Sequence, residues 1–492
     1  MTAFPSIPEA AHPLSDQVFS RTAGAHLIRG NDVQLLRDAE ENYPAWLEAI
    51  RSARRFVHFE NYILHADETG RRFSAAFIEK AREGVPVRII YDWIGCVGTP
   101  RTFWRELRAG GVDVRSFNPP RLDQPLGWVE RDHRKCLVVD GQIAFVTGLC
   151  VGKMWEGTPE LGRAPWRDTG VAVRGPAVSE VAHAFASSWA VTGPPLPDAE
   201  ITAFEACPEA GKVDVRVLAS TPGSASLYRL DPLVASLARR TLWLTDAYFA
   251  GTAVYVQALG AAAADGVDVR LLVPGPGGDI PFMQMISRAG YRALLESGVR
   301  VFEWNGPMLH AKTAVADAHW ARVGSTNLNL SSWMANRELD LVIENQQFGQ
   351  AMEEMFVEDL TRSTEIVLET RRRVRPAGGV RVPRPPRAGG RGTRAAAGAL
   401  RLGNVIGSAL AAKRVHHPTE RWLMTQGAVF LGILSLIGFV WPRLLAWPLA
   451  TACLWFALAL VARALRRKKT AWSTYDRSRS QVKHRPPDLP GE

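Results

Sequence analysis

The sequence predicts an α/β protein made of two related α/β domains, followed by an α-helical transmembrane hairpin. Three observations carry that prediction: a motif that occurs twice, a matching order of apolar runs around each copy, and an apolar, Arg-rich C-terminal quarter. The motif is His133-Arg134-Lys135, four residues and Asp140, repeated 177 residues later as His310-Ala311-Lys312, four residues and Asp317. A single His-x-Lys triplet carries little weight, because any basic strand can hold one by chance. Two copies with the same internal spacing point to a duplicated site.

The surroundings repeat in order. Each half opens with an apolar run that ends in acid-x-Tyr, at Glu60-Asn61-Tyr62 and at Asp246-Ala247-Tyr248. An Ala-rich helical stretch follows, then Val85 to Ile90 in one half and Val267 to Leu272 in the other, then Gly111-Val112-Asp113-Val114 and Gly298-Val299-Arg300-Val301, then the motif strand. Short β-branched runs alternating with helical patterns indicate α/β units around a largely buried sheet. The expected organisation is an N-terminal extension at 1–26, a first domain at 27–197 and a second at 198–370, with the junction near Pro194-Pro195-Leu196-Pro197. An Arg-rich linker at 371–421, a transmembrane hairpin at 422–462 and a basic tail at 463–492 complete the chain. A period this long marks a duplicated domain and not a solenoid.

Residue chemistry points to phosphoryl transfer. Histidine changes charge near neutral pH, and lysine offers a fixed cation to phosphate oxygens. A neutral imidazole can attack a phosphodiester and form a phosphohistidine, while a second imidazole protonates the departing alkoxide. The candidate catalytic set is therefore His133, Lys135, Asp140, His310, Lys312 and Asp317. Within it, Asp140 and Asp317 sit at strand ends before Gly and Ala, where a bracing turn is the expected role. Ser325 and Asn327 are candidate phosphate-binding residues. The sequence offers no clear metal cluster, and neither a metal nor an organic cofactor is expected.

His133 to Gly141, Trp166-Arg167-Asp168-Thr169-Gly170 and His310 to Asn327 resemble the phospholipase D superfamily, most closely its bacterial cardiolipin synthases. The resemblance covers residues 27 to 370. It implies two pseudo-symmetric phospholipase D-like α/β domains with a mixed sheet each, sharing one active site. It implies that His133 is the nucleophile and His310 the acid/base, an order that spacing alone leaves open. It also matches Asp168, 35 residues after His133, and Glu338, 28 residues after His310, to the acids that orient the imidazoles. One position departs from the pattern: Cys150 stands where a phosphate-binding Asn is expected, and a thiol is a poor donor. A buried, small apolar role suits it better than that of a second nucleophile.

Charge separates the substrates. The chain carries a formal +10, yet residues 1–370 hold 36 Lys+Arg against 45 Asp+Glu, and residues 371–492 hold 23 against 4. An acidic catalytic region argues against a nucleic-acid groove, and no nucleic-acid partner is expected. From Arg371 to Arg401 there are ten Arg and no acid, as in an extended linker. Trp422 to Val440 and Leu444 to Val461 are nearly all apolar, with basic residues outside both ends. Runs of that length suit a ~30 Å hydrocarbon layer, and the flanking cations place both ends in the cytoplasm. The basic clusters suit anionic phospholipid headgroups. No signal peptide is apparent at the N-terminus. Five scattered cysteines indicate a reducing compartment without disulfides.

The resulting expectation is an inner-membrane enzyme with its catalytic domains on the cytoplasmic face. By resemblance it makes cardiolipin from phosphatidylglycerol. Its rivals are a phospholipid-hydrolysing phospholipase D, a nuclease and a non-catalytic membrane scaffold.

Overall fold

Two mixed sheets run through the molecule in the same order, and the order explains why the two motifs converge. The computed structural model describes residues 12–120, 130–368 and 374–376, with isolated helical positions between 447 and 458. The first half supplies β1 (Ile28–Arg37), β2 (Val57–Asn61), β3 (Val87–Asp92), β4 (Asp113–Phe117), β5 (Arg131–Asp132), β6 (Cys136–Val139), β7 (Ile143–Thr147) and β8 (Thr169–Arg174). The second supplies β9 (Val213–Ser220), β10 (Thr241–Thr245), β11 (Asp268–Pro274), β12 (Arg300–Trp304), β13 (Thr313–Ala316), β14 (Trp320–Gly324), β15 (Asn336–Glu344), β16 (Ser363–Leu368) and β17 (Val374–Pro376).

Pairing gives the order β4-β3-β2-β6-β7-β8-β1 in the first half. The second half repeats it as β12-β11-β10-β13-β14-β15-β9, and adds β16 beside β12 and β17 beside β16. Three neighbours in each sheet are parallel, joined by helical crossovers; the other pairs are antiparallel, with β6–β7 and β13–β14 as tight hairpins. Strands β1 and β9 pair antiparallel across the two sheets, with a register break between Ile28 and Asn31.

Strands β2, β6, β13 and β14 are buried at every position, as the continuous apolar runs require when both sheet faces are covered. One core lies between the sheets. It takes Val181, Phe185 and Trp189 from the helix Ala177–Thr192, and Met352, Met355 and Phe356 from the helix Gln346–Thr361. Separate outer cores sit under the crossover helices of each half, one around Trp46, Phe59 and Phe73, the other around Leu244, Tyr255 and Tyr291.

The described parts of both halves form one compact unit, because a core with residues from both sides joins them. The segment expected as an N-terminal extension is tied into the second half. Its helix His12–Ala23 puts Ala23 into the second outer core, and Ser20 Oγ lies 2.6 Å from Arg216 Nη1 on β9. The expected hairpin at 422–462 falls outside the described residues except at those isolated helical positions. Among the described residues, no helix is long and apolar enough to cross a membrane.

Candidate active site

Each motif enters at the seam and bonds to the other half. His133 sits between β5 and β6, and β5 lies parallel to the start of β15, pairing Arg131 with Asn336 and Asp132 with Arg337. The His133 N–H then donates to the carbonyl of Arg337 at 2.9 Å. The second seam mirrors the first, since the Arg167 N–H donates to the Met308 carbonyl at 2.9 Å and the His310 N–H to the Arg167 carbonyl at 2.7 Å. Each histidine is thereby pinned beside the residue that precedes the other half's acid.

The acids complete the exchange. His133 Nδ1 lies 2.8 Å from Glu338 Oε2, and His310 Nδ1 lies 2.7 Å from Asp168 Oδ2. The two carboxylates matched by the resemblance are the ones beside the imidazoles, and each contacts the histidine of the opposite half. Both are fully buried, whereas the two histidines retain a few per cent exposure. Nδ1 faces the carboxylate in both rings, so Nε2 is the nitrogen turned away from it.

The two lysines are buried behind the imidazoles. Lys135 Nζ donates to the His133 carbonyl at 2.5 Å, and Lys312 Nζ makes the matching bond to the His310 carbonyl. An ammonium has three donors, so each lysine has more to offer a ligand. Burial, set against attraction to Asp168 and aided by repulsion from Lys135, lowers Lys312 to about 8. Cys150 feels both lysines, so the two motifs share one electrostatic neighbourhood.

Burial and the adjacent Lys312 push His310 well below its usual value, against the pull of Asp168. For Asp168, burial works against ionisation, yet attraction to His310, their hydrogen bond and Lys312 prevail and hold it below the usual carboxylate range. Glu338 goes the other way. Burial pushes it up to about 7, despite Lys135 and hydrogen bonds from Ser325 and Asn336.

Asp140 and Asp317 do not join this cluster. Asp140 accepts from the N–H groups of Arg54, Arg55 and Phe56 at 2.7 to 2.9 Å, and Asp317 from those of Arg239, Arg240 and Thr241 at the same distances. Both have left-handed backbones, with φ of 56° and 53°. They close the turn after the motif strand and hold the chain that enters β2 or β10, so of the six residues grouped as catalytic these two brace the fold.

Ser325 also differs from expectation. Its hydroxyl donates to Glu338 Oε2 at 2.6 Å and accepts from the Leu339 N–H at 2.9 Å. A hydroxyl has one hydrogen to give, so Ser325 serves the orienting carboxylate and not a phosphate. Asn327 is buried; its Oδ1 has no hydrogen-bond partner in the described structure and its Nδ2 makes only a 3.5 Å contact to Ser332 Oγ. Cys150 is buried in the first outer core, and desolvation raises its thiol even against the pull of Lys135.

Four aromatic residues belong to the site that the candidate set omits. Tyr62 meets the His133 ring at 4.9 Å, and Trp155, Trp166 and Tyr248 meet His310 at 5.6, 5.7 and 6.0 Å. Lys135 lies 5.2 Å over Tyr62 and Lys312 lies 5.9 Å over Tyr248. The acid-x-Tyr repeat is the sequence signal that marks the two tyrosines. Two further tryptophans pack away from the imidazoles: Trp333 in the second outer core, and Trp304 beside a cavity of about 360 Å³ with Arg167 and Arg362.

A family profile described as cardiolipin synthase, PLD-like domain, matches residues 46–152 and 234–360, one stretch in each half. Cardiolipin synthase A of Pseudomonas fluorescens (strain SBW25) is 35% identical over 362 residues, covering 71% of this chain and 72% of its own. The cardiolipin synthase of Geobacillus sp. (strain WCH70) is 31% identical over 369 residues, covering 74% and 73%. Among solved structures, the phosphatidylserine synthase of Haemophilus influenzae Rd KW20 aligns with a TM-score of 0.54 at 13% identity, over 71% of this chain and 92% of that one. At that identity the likeness is one of fold.

Proposed function

This chain belongs to the family of cardiolipin synthases with PLD-like domains, and on that premise we propose that it moves a phosphatidyl group between phospholipids through a phosphohistidine. It is a phosphatidyltransferase of the phospholipase D type, and phosphatidylglycerol is its donor. The observation that carries the reading is the exchanged pair of imidazole–carboxylate contacts, His133 with Glu338 and His310 with Asp168.

His133 Nε2 attacks phosphorus in line as the bond from phosphorus to the glycerol oxygen breaks, and His310 Nε2 gives its proton to that oxygen. Glycerol leaves. The hydroxyl of a second phosphatidylglycerol then attacks phosphorus and returns a proton to His310, and the P–N bond breaks to free His133 and cardiolipin. Lys135, Lys312 and Asn327 hold the non-bridging oxygens through the trigonal-bipyramidal stage. A bound phosphodiester anion offsets the repulsion by Lys312, which raises His310 toward the protonation its first step needs. The aromatic wall of Tyr62, Trp155, Trp166 and Tyr248 thins the water around the intermediate, favouring an alcohol over hydrolysis.

The acidic catalytic halves oppose a polyanionic nucleic acid. The apolar runs at 422–462 and their flanking cations support anchoring in the inner membrane with the site on the cytoplasmic side. Incubating the full-length chain with phosphatidylglycerol in mixed micelles tests the reading. Cardiolipin and free glycerol are expected; phosphatidic acid as the main product would make the chain a hydrolase, and no turnover would make it a scaffold. Protease protection of residues 371–421 and 463–492 in sealed inverted vesicles tests the topology, with cleavage expected in both segments.

A further inference from the structure

Arg167 and Arg337 occupy equivalent places, each next to an orienting acid, and neither has a role in the chemistry just described. Each gives its carbonyl to the backbone N–H of the other half's histidine, and each points its guanidinium at acids elsewhere in the protein. Arg167 Nε lies 2.8 Å from Asp359 Oδ1 on the helix Gln346–Thr361 of the second half, and its Nη1 lies 3.0 Å from Asp38 Oδ1 at the end of β1. That Asp38 oxygen also accepts the Asp168 N–H at 2.7 Å, and the Asp38 N–H returns to the Asp168 carbonyl at 3.0 Å. One ion triad thus fixes both the Asp168 backbone and the strip of chain that holds His310. Its arginine is 7% exposed.

The opposite seam has the same plan in weaker form. Arg337 Nε lies 3.0 Å from Glu130 Oε1, with the acid 32% exposed, and the guanidinium stacks 5.6 Å over Phe117. Arg337, 11% exposed, has one acid partner among the described residues where Arg167 has two, so its guanidinium is held by fewer bonds and is displaced more easily.

We propose that Arg167 and Arg337 are positioning residues that hold each imidazole in register with the carboxylate following that arginine, and that the buried Arg167 triad fixes His310 more tightly than the Arg337 pair fixes His133. The proposal rests on the roles given above to His133 and His310. Placement within a few tenths of an ångström matters for proton transfer to a leaving group. An alcohol leaving group needs the proton from His310; a nitrophenolate does not. Displacing His310 therefore slows release of glycerol while sparing release of nitrophenolate, and displacing His133 slows both.

The test compares Arg167→Met, Arg167→Lys and Arg337→Met in the full-length chain, on phosphatidylglycerol and on phosphatidyl-p-nitrophenol in mixed micelles. The readouts are cardiolipin formation and the first-turnover burst of nitrophenolate. Arg167→Met is expected to lose about 10²-fold on phosphatidylglycerol and less than about threefold in the burst. Arg167→Lys, which keeps the charge with one bonding direction, recovers part of the loss and guards against a failure to fold. Arg337→Met is expected to lose about threefold to tenfold on both substrates alike. Equal losses on both substrates for Arg167→Met, or no loss in either arginine variant, would overturn the proposal. The reverse pattern, with Arg337 selective for glycerol release, keeps the clamps and exchanges the roles of the imidazoles. If the unaltered chain releases neither cardiolipin nor nitrophenolate, the proposed activity itself fails.

Discussion

In the first half the orienting acid, Asp168, takes hydrogen bonds from the Trp155 indole at 3.2 Å and from the Thr169 N–H at 2.9 Å. In the second half its counterpart, Glu338, takes them from Ser325 Oγ at 2.6 Å and Asn336 Nδ2 at 3.0 Å. The residue behind each acid differs to match. A Cβ on Gly148 would lie 2.2 Å from Asp168 Oδ1, so the first half needs glycine where the second uses the Ser325 side chain as a donor. The same contact to an imidazole is thus built twice with different donors, and the charge follows. Asp168 stays ionised, while burial brings Glu338 to about 7. A fixed anion behind His310 suits a group that must carry a proton on Nε2. A carboxyl that titrates near neutrality suits His133, whose Nδ1 proton Glu338 can share when the ring takes on the phosphoryl group. The duplication supplied two similar halves, and on the proposed mechanism their divergence separates an acid from a nucleophile.

Removing either imidazole gives the largest effect. His133→Ala is expected to lower cardiolipin formation by at least about 10⁴-fold, because no covalent step remains. His310→Ala loses a similar factor on phosphatidylglycerol but still gives a nitrophenolate burst from phosphatidyl-p-nitrophenol. A burst from His133→Ala, and none from His310→Ala, would exchange the two halves in the comparison.

Neutralising the acids one at a time sharpens the contrast. Asp168→Asn removes a charge present at pH 7 and leaves His310 with a wrong or mobile tautomer, at roughly 10²- to 10⁴-fold in kcat. Glu338→Gln is expected to cost at least about tenfold less than Asp168→Asn at pH 7, since burial already favours the uncharged form of Glu338. Equal losses would mean that the two carboxylates carry the same charge and that the halves are electrostatically alike.

Stability reports the same difference without catalysis. Glu338 is raised from 4.5 to about 7, so the folded state holds a proton that the unfolded chain releases. Its contribution is fully present below pH 4.5 and is lost as pH rises to about 7, up to about 3 kcal/mol in all. Glu338→Gln should therefore gain on the parent in denaturant midpoint as pH rises through that window. Asp168 has the opposite sign. Its value lies below 3.8, so its contribution is present above that pH and lost in acid. A flat difference curve for Glu338→Gln would break the claim that the halves are charged differently.

The sequence makes some of this legible and hides the rest for a physical reason. The alternation of apolar runs with helical stretches and the two motifs are local patterns, and local spacing reports them well. The pairing of His310 with Asp168 spans 142 residues, and that of His133 with Glu338 spans 205. Such a contact is set by how two sheets meet across β1 and β9, which no spacing within one half encodes. Ser325 shows a different limit: a hydroxyl beside a phosphate site looks the same in sequence whether it bonds the phosphate or the acid behind the histidine. Arg167 is hidden likewise, because its partners Asp38 and Asp359 come from opposite ends of the catalytic region. Residues 1–26 read only as an N-terminal extension until Arg216, in the middle of β9, is seen to reach Ser20 and Asp16.

The smallest expected effect concerns the position where the halves differ most visibly in residue type. Asn327 leaves a buried amide oxygen without a hydrogen-bond partner in the described structure, while Cys150 is a protonated thiol packed in the first outer core, its carbonyl taking a 2.6 Å bond from Tyr43. Cys150→Asn places an amide of similar volume beside both lysines. If that amide reaches a phosphate oxygen, it adds one charge-assisted hydrogen bond in the transition state, raising kcat/KM by about tenfold at most. Without substrate the same amide is buried and poorly partnered, at about 1–3 kcal/mol of stability. The expected outcome is a less stable and slightly faster enzyme, read from a denaturant midpoint and a cardiolipin assay on one preparation. The reciprocal Asn327→Cys should slow turnover by about tenfold and leave stability nearly unchanged. A Cys150→Asn enzyme that is destabilised and no faster would show that the first half's phosphate grip has moved to its lysine and aromatic wall, so that the asymmetry at this position lies in packing alone.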